Sequence, residues 1–163
     1  MACWGCDMTI ASQIIDAYRK KGLRIATAES CTGGMVSAAL TDIAGSSDVF
    51  ERGFVTYSNA AKTQMLGVSP ATLSAHGAVS EPVAQEMATG ALQASEADVA
   101  GSITGIAGPG GSEFKPEGRV CFGIARHGVP VRVETVEFGP LGRAEVRQAA
   151  TAHALVLLMA AIA

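Results

Sequence analysis

A serine and a lysine stand in two segments whose residue types permit nucleophilic catalysis. Ser30 lies in TAESCTGG at 27–34, where a short apolar strand ends and two glycines lead into a helix. Lys62 lies in GFVTYSNAAK at 53–62, on the first turns of a predicted helix, and Tyr57 ends the strand before it. A serine hydroxyl becomes a nucleophile when a neighbouring base removes its proton, and a neutral lysine can be that base. The pair would therefore suit attack on a carbonyl carbon.

Spacing alone favours simpler roles for the same residues. Ser30 or Thr32 can cap the helix that follows, because serine and threonine are common helix caps. Lys62 can be a solvated surface charge. A helix N-terminus nevertheless lowers the pKa of a nearby lysine, and backbone amides at such a position can hold an anion or a developing oxyanion. The catalytic interpretation therefore needs support beyond the spacing.

A glycine-rich loop at 105–112, directly after Thr104, is a candidate pocket wall. Gly105 and Gly110 have the spacing of a P-loop, but Gly111 stands where the phosphate-binding lysine should be, which argues against an NTPase. The sequence has no GxGxxG segment, so a Rossmann dehydrogenase is also disfavoured. The loop contains more glycine than a turn needs, and we expect it to line a pocket.

Two arginines near the start of the last predicted helix are candidates for binding an anion. Arg143 and Arg147 are four residues apart and therefore face the same side of a helix. Like charges so placed repel each other, and a shared anionic partner would relieve the repulsion. A solvated helix face paired with acids such as Glu145 explains the same pattern equally well.

Composition restricts the classes of protein that fit. The chain has 163 residues, 48% of them hydrophobic and 17% charged, with a net charge of −3. This describes one globular domain, and the negative charge argues against a nucleic-acid partner. The sequence shows no secretory signal and no apolar run long enough for a bilayer, so we expect no membrane association and a cytoplasmic protein. The histidines and cysteines lack metal-ligand spacing, so no metal and no cofactor is expected.

The two ends of the chain carry weaker features. Residues 1–8 are predicted to be a tail, with the domain over 9–163. The tail's Cys3 and Cys6 lack the second ligand pair that a zinc site needs. The apolar stretch 154–163 is predicted to be a buried helix end, although it also suits a contact between copies, and a homo-oligomer is expected.

Hydrophobic periodicity and turn residues predict an alternation of helices and strands. Helices are predicted over 9–21 and 35–40, in segments that begin at 59, 69 and 80, and over 141–162. Asn59 is the predicted cap of the third helix. Strands are predicted at 23–28, 54–57, 98–104, 120–126 and 131–138, the last two forming a hairpin at His127 and Gly128. This order predicts a single α/β domain, a three-layer α/β/α sandwich with a mixed sheet.

Five segments, taken together and in order, resemble the CinA C-terminal domain family. They are TAESCTGG at 27–34, FERGFVTYSNAAK at 50–62, GAVSEPV at 77–83, SITGIAGP at 102–109 and KPEG at 115–118. The resemblance runs from about residue 10 to about residue 158. It is to the stand-alone form of the family, without the larger N-terminal domain that some members carry.

The resemblance implies a nicotinamide-nucleotide amidase, which hydrolyses the carboxamide of nicotinamide mononucleotide. The products are nicotinate mononucleotide and ammonia, and the reaction recycles pyridine nucleotide toward NAD. The family's serine–lysine pair corresponds to Ser30 and Lys62, with Lys62 acting directly or through Tyr57. The implied substrate-binding residues are the oxyanion donors Thr32, Gly33 and Gly34, the pocket residues Thr104 and Gly105, and the phosphate ligands Arg143 and, second, Lys115.

The chain departs from the family pattern in two places. Residues 115–119 read KPEGR instead of KPVGT, and 139–143 read GPLGR where Gly-Asp-Arg is usual. Both departures fall on the expected phosphate side. Two alternatives therefore stay open: an amidohydrolase for another small amide, and a binding or regulatory protein without turnover. A Lys62 that stays protonated at neutral pH would favour the second alternative.

Overall fold

The computed structural model describes residues 8–112 and 114–163 of the chain, so the predicted tail lies outside the described residues except for Met8. The helices in this part are α1 (Ile10–Lys21), α2 (Met35–Thr41), α3 (Asn59–Leu66), α4 (Pro70–His76), α5 (Glu81–Gln93) and α6 (Arg143–Ala160). The strands are β1 (Ile25–Glu29), β2 (Phe50–Val55), β3 (Val99–Gly105), β4 (Arg119–Arg126) and β5 (Arg132–Glu137).

The strands form one mixed sheet in the order β2-β1-β3-β4-β5. Strand β1 runs parallel to β2 and β3, whereas β4 is antiparallel to both β3 and β5. Helices α1, α2 and α6 pack together on one side of the sheet, and α3 and α4 pack on α5 on the other. The predicted α/β/α sandwich with a mixed sheet is therefore confirmed.

Strand β1 shows how the sequence builds the two cores. All five of its residues are buried. Ile25 belongs to the core cluster under α1 and α6, whereas its neighbour Ala26 belongs to the cluster under α5. Successive side chains on a strand point to opposite faces, so β1 contributes apolar side chains to the cores on both sides of the sheet.

Three local predictions differ from the structure. Strand β2 begins four residues earlier than predicted, because its parallel pairing with β1 extends through half-exposed residues that show no apolar periodicity. The cap of α3 is Ser58, whose hydroxyl accepts from the amide of Ala61 at 3.0 Å, and Asn59 is the first helical residue. The connection between β4 and β5 spans residues 127–131 and is longer than a two-residue turn.

The apolar end of the chain packs inside its own domain. Leu155, Leu157, Leu158 and Ile162 are buried, and the Tyr18 hydroxyl donates to the Leu158 carbonyl at 2.6 Å. The prediction of a buried helix end is confirmed, whereas the homo-oligomer and the cytoplasmic location stay predictions. None of the helices in the described residues has the length and apolarity needed to cross a membrane.

Candidate active site

The site lies at the sheet edge where three parallel strands end. Strands β2, β1 and β3 are adjacent and parallel, so their carboxyl ends share one edge. Ser30 directly follows β1, Tyr57 follows β2, and Gly105 ends β3. In open α/β sheets, ligands bind outside the carboxyl ends of the strands. The topology therefore brings together three segments that are far apart in the sequence.

Lys62 meets Ser30 at the centre of this edge. Its Nζ lies 3.0 Å from Ser30 Oγ, and it donates to the backbone carbonyls of Thr56 at 3.0 Å and Tyr57 at 3.2 Å. Lys62 is 1% exposed and Ser30 8% exposed. Burial lowers the pKa of Lys62 below its ordinary value, because removal from water disfavours the ammonium form, while the nearby Cys31 acts in the opposite direction.

The two carbonyls determine how a neutral Lys62 must orient. A neutral amine has two N–H donors and one lone pair, whereas an ammonium has three donors and no lone pair. If the carbonyls of Thr56 and Tyr57 accept both N–H groups, the lone pair is left facing Ser30 Oγ. The arrangement can therefore accept the serine proton and leave Oγ as a nucleophile.

Cys31, next to the serine, is a poor rival nucleophile. It is buried, and burial raises the pKa of Cys31 to about 11, so its thiol is protonated near neutral pH. Its Sγ packs against Gly105, where an added Cβ would lie 3.0 Å from this sulfur and 2.7 Å from a Val120 methyl. A glycine is therefore needed where β3 passes the site.

A cavity of about 360 Å³ opens beside the pair, within the size range of small-molecule sites. Its lining comes from the loop after β1, the start of α3, the segment before α5, the glycine-rich loop and the start of α6. The lining residues are Ser30, Cys31, Tyr57, Asn59, Lys62, Ala78, Val79, Thr104, Gly105, Ile106, Ala107, Gly108, Pro109, Gly110, Gly111, Ser112 and Arg143. The glycine-rich loop therefore lines a pocket, as the sequence predicts.

Tyr57 and Arg143 meet at this cavity. One terminal nitrogen of Arg143 donates to the Tyr57 hydroxyl at 2.8 Å, and the other donates to the Gly108 carbonyl at 2.7 Å. The Tyr57 side chain is largely exposed and has its hydroxyl on Arg143. Because Lys62 contacts Ser30 directly, this geometry gives no support to a proton relay through Tyr57.

Thr104 and Gly105 lie in the cavity wall, as predicted from the resemblance. The Thr104 hydroxyl donates to the Ala78 carbonyl at 2.9 Å and ties β3 to the segment before α5. Asn59 also lines the cavity. Sequence reasoning assigned Asn59 to a helix cap, and its place one residue inside α3 is what brings it to the site.

Other predicted binding residues do not reach the cavity. Among the described residues that line it, Thr32, Gly33 and Gly34 are absent. The Gly33 amide is already engaged by the Ser30 carbonyl at 3.0 Å. The Gly33 amide is therefore turned back onto the chain, whereas the oxyanion role of the Thr32 and Gly34 amides stays a prediction.

The side chains of Lys115 and Arg147 hydrogen-bond to segments around the cavity and do not line it. Lys115 donates to the carbonyls of His76 and Val79, both at 2.6 Å, and so holds the segment before α5. Arg147 donates to the Cys31 carbonyl at 3.0 Å. Among the described residues, Arg143 and Arg147 therefore share no hydrogen-bond partner, and Lys115 lies outside the cavity lining, so its role as a phosphate ligand stays a prediction.

Glu29 holds the turn that carries Ser30, a role that the sequence analysis missed. One carboxylate oxygen accepts from the Thr32 hydroxyl at 2.7 Å and the Val36 amide at 2.9 Å. The other accepts from the Ser37 amide at 3.0 Å and the Ser37 hydroxyl at 2.7 Å. Glu29 is fully buried and caps α2, whose N-cap Gly34 has no side chain to do so. The sequence signal for this role was an acidic residue shortly before a helix whose first position has no capping side chain.

We expect Glu29→Gln to destabilise the fold by about 3 kcal/mol, because an amide NH2 would face donors that need an acceptor. Urea unfolding monitored by circular dichroism would measure the loss. Ser12→Ala, which removes an exposed hydroxyl on α1, is the control and should cost less than about 1 kcal/mol. A Glu29→Gln variant as stable as this control would contradict the capping role.

No cluster of three or more His, Cys, Asp or Glu side chains suited to a metal ion occurs within residues 8–112 and 114–163. Two free cysteines, Cys31 and Cys121, are buried in this part of the chain. Cys3 and Cys6 lie outside the described residues.

Comparisons with known proteins agree with the resemblance in the sequence. The family model of the CinA C-terminal domain matches residues 7–162. The chain is 55% identical over 155 residues to the nicotinamide-nucleotide amidohydrolase PncC of Escherichia coli K12, covering 93% of this chain and 92% of that protein. It is 53% identical to a CinA-like protein of Chlorobaculum tepidum over 81% of this chain and 32% of that protein.

Solved structures show the same fold. The crystal structure of the competence/damage inducible protein CihA from Agrobacterium tumefaciens superposes with a TM-score of 0.91 at 47% identity, covering 98% of both chains. A CinA superfamily protein from Klebsiella pneumoniae superposes with a TM-score of 0.90 at 36% identity, covering 94% of this chain and 95% of that chain.

Proposed function

The chain belongs to the CinA C-terminal domain family, and on that premise we propose that it is an amidase that hydrolyses nicotinamide mononucleotide. The products are nicotinate mononucleotide and ammonia. Ser30 is the nucleophile and Lys62 is the general base. The observation that carries the proposal is the 3.0 Å contact between Lys62 Nζ and Ser30 Oγ at the wall of a small-molecule cavity.

The first half of the reaction forms an ester on Ser30. Neutral Lys62 takes the hydroxyl proton while Oγ forms a bond to the carboxamide carbon of the nicotinamide ring. The resulting Lys62 ammonium then gives that proton to the nitrogen of the collapsing intermediate. The C–N bond breaks, ammonia leaves, and the nicotinoyl group of the nucleotide remains attached to Ser30.

The second half returns the site to its starting state. A water molecule attacks the ester carbon while Lys62 takes one proton from the water. The bond between the carbon and Oγ breaks, Lys62 gives its proton back to Oγ, and nicotinate mononucleotide leaves. One amide and one water are consumed, one acid and one ammonia are made, and Lys62 holds no net proton at the end.

The electrostatic setting of Lys62 supports catalysis over simple binding. A general base must be partly neutral near its working pH. Burial lowers the pKa of Lys62 in that direction. The Escherichia coli K12 relative that carries the amidohydrolase name matches 93% of this chain, which supports the same conclusion.

Arg143 is the group best suited to the phosphate of the nucleotide. It lines the cavity, and its two hydrogen bonds go to a neutral hydroxyl and a neutral carbonyl, which a phosphate anion can outcompete. Lys115, Arg147 and the Gly33 amide, which were also considered as ligands, are already engaged within the fold.

We expect Arg143→Ala to raise KM for nicotinamide mononucleotide about thirtyfold, since a hydrogen-bonded charge contributes about 2 kcal/mol. The same variant should leave KM for nicotinamide riboside, which lacks the phosphate, nearly unchanged. Arg143→Lys should recover part of the loss. Steady-state kinetics on both substrates measure the difference. An equal rise in KM for both substrates would place the phosphate elsewhere.

A substrate panel tests the proposed function. Ammonia release should be fastest with nicotinamide mononucleotide, slower with nicotinamide riboside and slowest with free nicotinamide. Chromatography should show one nicotinate mononucleotide formed for each ammonia. A folded protein that releases ammonia faster from an unrelated small amide would replace the proposed substrate. A folded protein that releases none from any amide would overturn the enzyme assignment.

A further inference from the structure

Glu117 contacts the back of the glycine-rich loop, outside the lining of the cavity. One of its carboxylate oxygens accepts from the Gly110 amide at 2.9 Å. The carboxylate also fills the space beside the Cα of Gly108, where a Cβ would lie 1.8 Å from the same oxygen. Gly108 has a φ of +87°, which an L-residue rarely adopts. The loop therefore fits around this carboxylate only because Gly108 has no side chain.

The stretch that carries Glu117 is itself fixed to the sheet. The amide of Gly118 donates to the Ile106 carbonyl at 2.8 Å, and the amide of Ile106 donates to the Arg119 carbonyl at 2.9 Å. These hydrogen bonds fix the backbone next to Glu117, so its side chain can hold the loop over residues 108–110 in one position.

The same loop holds Arg143. The Gly108 carbonyl accepts from Arg143 at 2.7 Å, and the second nitrogen of that guanidinium reaches the Tyr57 hydroxyl at 2.8 Å. Gly108 therefore has the Glu117 carboxylate on one side and the Arg143 guanidinium on the other. A displacement of the loop would move the carbonyl that orients the arginine.

We propose that Glu117 is a positioning residue that sets the affinity of the cavity for the phosphate of its ligand, acting through the loop over residues 108–110 and Arg143. The inference rests on the proposed function, because it takes Arg143 as the phosphate ligand. A group held in its binding geometry before the ligand arrives loses less freedom on binding, and this raises affinity. Glu117 holds Arg143 in its binding geometry, through the loop, from outside the cavity.

The test compares Glu117→Val with Glu117→Gln. Valine removes the acceptor for the Gly110 amide, whereas glutamine keeps an oxygen acceptor and removes the charge. Glu137→Val is the matched control, because it removes a carboxylate that pairs with Arg119 and lies outside the cavity lining. Calorimetry would give the affinity of each protein for nicotinate mononucleotide and for nicotinate riboside, which lacks the phosphate.

We expect Glu117→Val to bind nicotinate mononucleotide about tenfold more weakly, and nicotinate riboside less than about threefold more weakly. Glu117→Gln and Glu137→Val should both stay within about threefold of the parent on both ligands. Tighter binding of the nucleotide by Glu117→Val would show that the Glu117 charge opposes the phosphate, and would overturn the proposal. Equal loss of affinity in the valine and glutamine variants would show that the charge matters and the oxygen acceptor does not, and would also overturn it. An equal loss on both ligands would also overturn it.

Turnover separates this inference from the proposed function. If the parent and the variants show the expected affinities for the nucleotide but the parent releases no ammonia, the amidase proposal is overturned and the positioning role of Glu117 is left intact. A parent that releases ammonia while Glu117→Val binds as the parent does would overturn the positioning role alone.

Discussion

Ser30→Ala should lose at least about 1,000-fold in kcat for ammonia release from nicotinamide mononucleotide, because no other side chain replaces the attacking oxygen. The neighbouring Cys31 thiol cannot substitute for it, since burial raises the pKa of Cys31 to about 11. The substituted hydroxyl contacts Lys62 and is a small part of the cavity wall. The affinity for the nucleotide should therefore change less than about fivefold.

Kinetics and binding together measure this prediction. Nicotinate mononucleotide production gives kcat, calorimetry gives the affinity, and urea unfolding shows whether the variant is folded. Ser12→Ala on α1 is the matched control and should keep the parent's kcat. A folded Ser30→Ala variant with more than about one tenth of the parent's kcat would rule out Ser30 as the nucleophile.

Lys62→Met should lower kcat/KM by about 1,000-fold, since general acid–base catalysis contributes about 100- to 10,000-fold and Lys62 moves every proton in the proposed mechanism. Methionine keeps most of the side chain's volume in a site that is 1% exposed. In the parent, kcat/KM should fall as pH falls through the lowered pKa of Lys62, because the protonated amine cannot accept the serine proton. Lys20→Met, which removes an exposed charge on α1, is the control.

The same lysine makes stability depend on pH with a definite sign. The pKa of Lys62 is lower in the folded chain than its ordinary value of 10.5. Between those two values the unfolded chain binds more protons, so the free energy of unfolding of the parent rises with pH in that window. Below the folded-state pKa the penalty for burying the charge is complete. Lys62→Met lacks this dependence.

Unfolding experiments at several pH values check the sign. The stability of the parent relative to Lys62→Met should increase as pH rises toward 10.5. A difference between the two proteins that is constant across this range, together with a kcat/KM that does not fall on acidification, would show that Lys62 is not a buried base.

The sequence predicted the core elements well because their signals are local. The helix segments predicted to begin at 69 and 80 start at Ser69 and Ser80, whose side chains cap α4 and α5 by accepting from amides two or three residues further on. Strand β2 was predicted too short, since its register is set by pairing with β1, which no local pattern in an edge strand reveals.

The site residues also divide into those that a sequence pattern indicated and those whose role depends on contacts made by the fold. Ser30 and Lys62 meet because two parallel strands end side by side, and only the family resemblance, not the spacing, indicated that pairing. Glu29 and Glu117 escaped assignment because both accept from backbone amides, which look the same in every residue of a sequence, and the two hydroxyls that also donate to Glu29 reach it only through the fold. Lys115 was taken as a phosphate ligand from the family resemblance, and Arg147 was one of two arginines considered for an anion, but both already donate hydrogen bonds to carbonyls of the fold.

The most direct test of the account is to locate the covalent intermediate. The protein would be mixed with saturating nicotinamide mononucleotide, quenched in acid at a series of times during turnover, digested and analysed by mass spectrometry. The proposed covalent mechanism predicts that the peptide containing Ser30 carries the nicotinoyl group of the nucleotide during turnover. It also predicts that Lys62→Met shows no such adduct at the same times. Ammonia release by a protein that carries the group on another residue, such as Cys31, would contradict it.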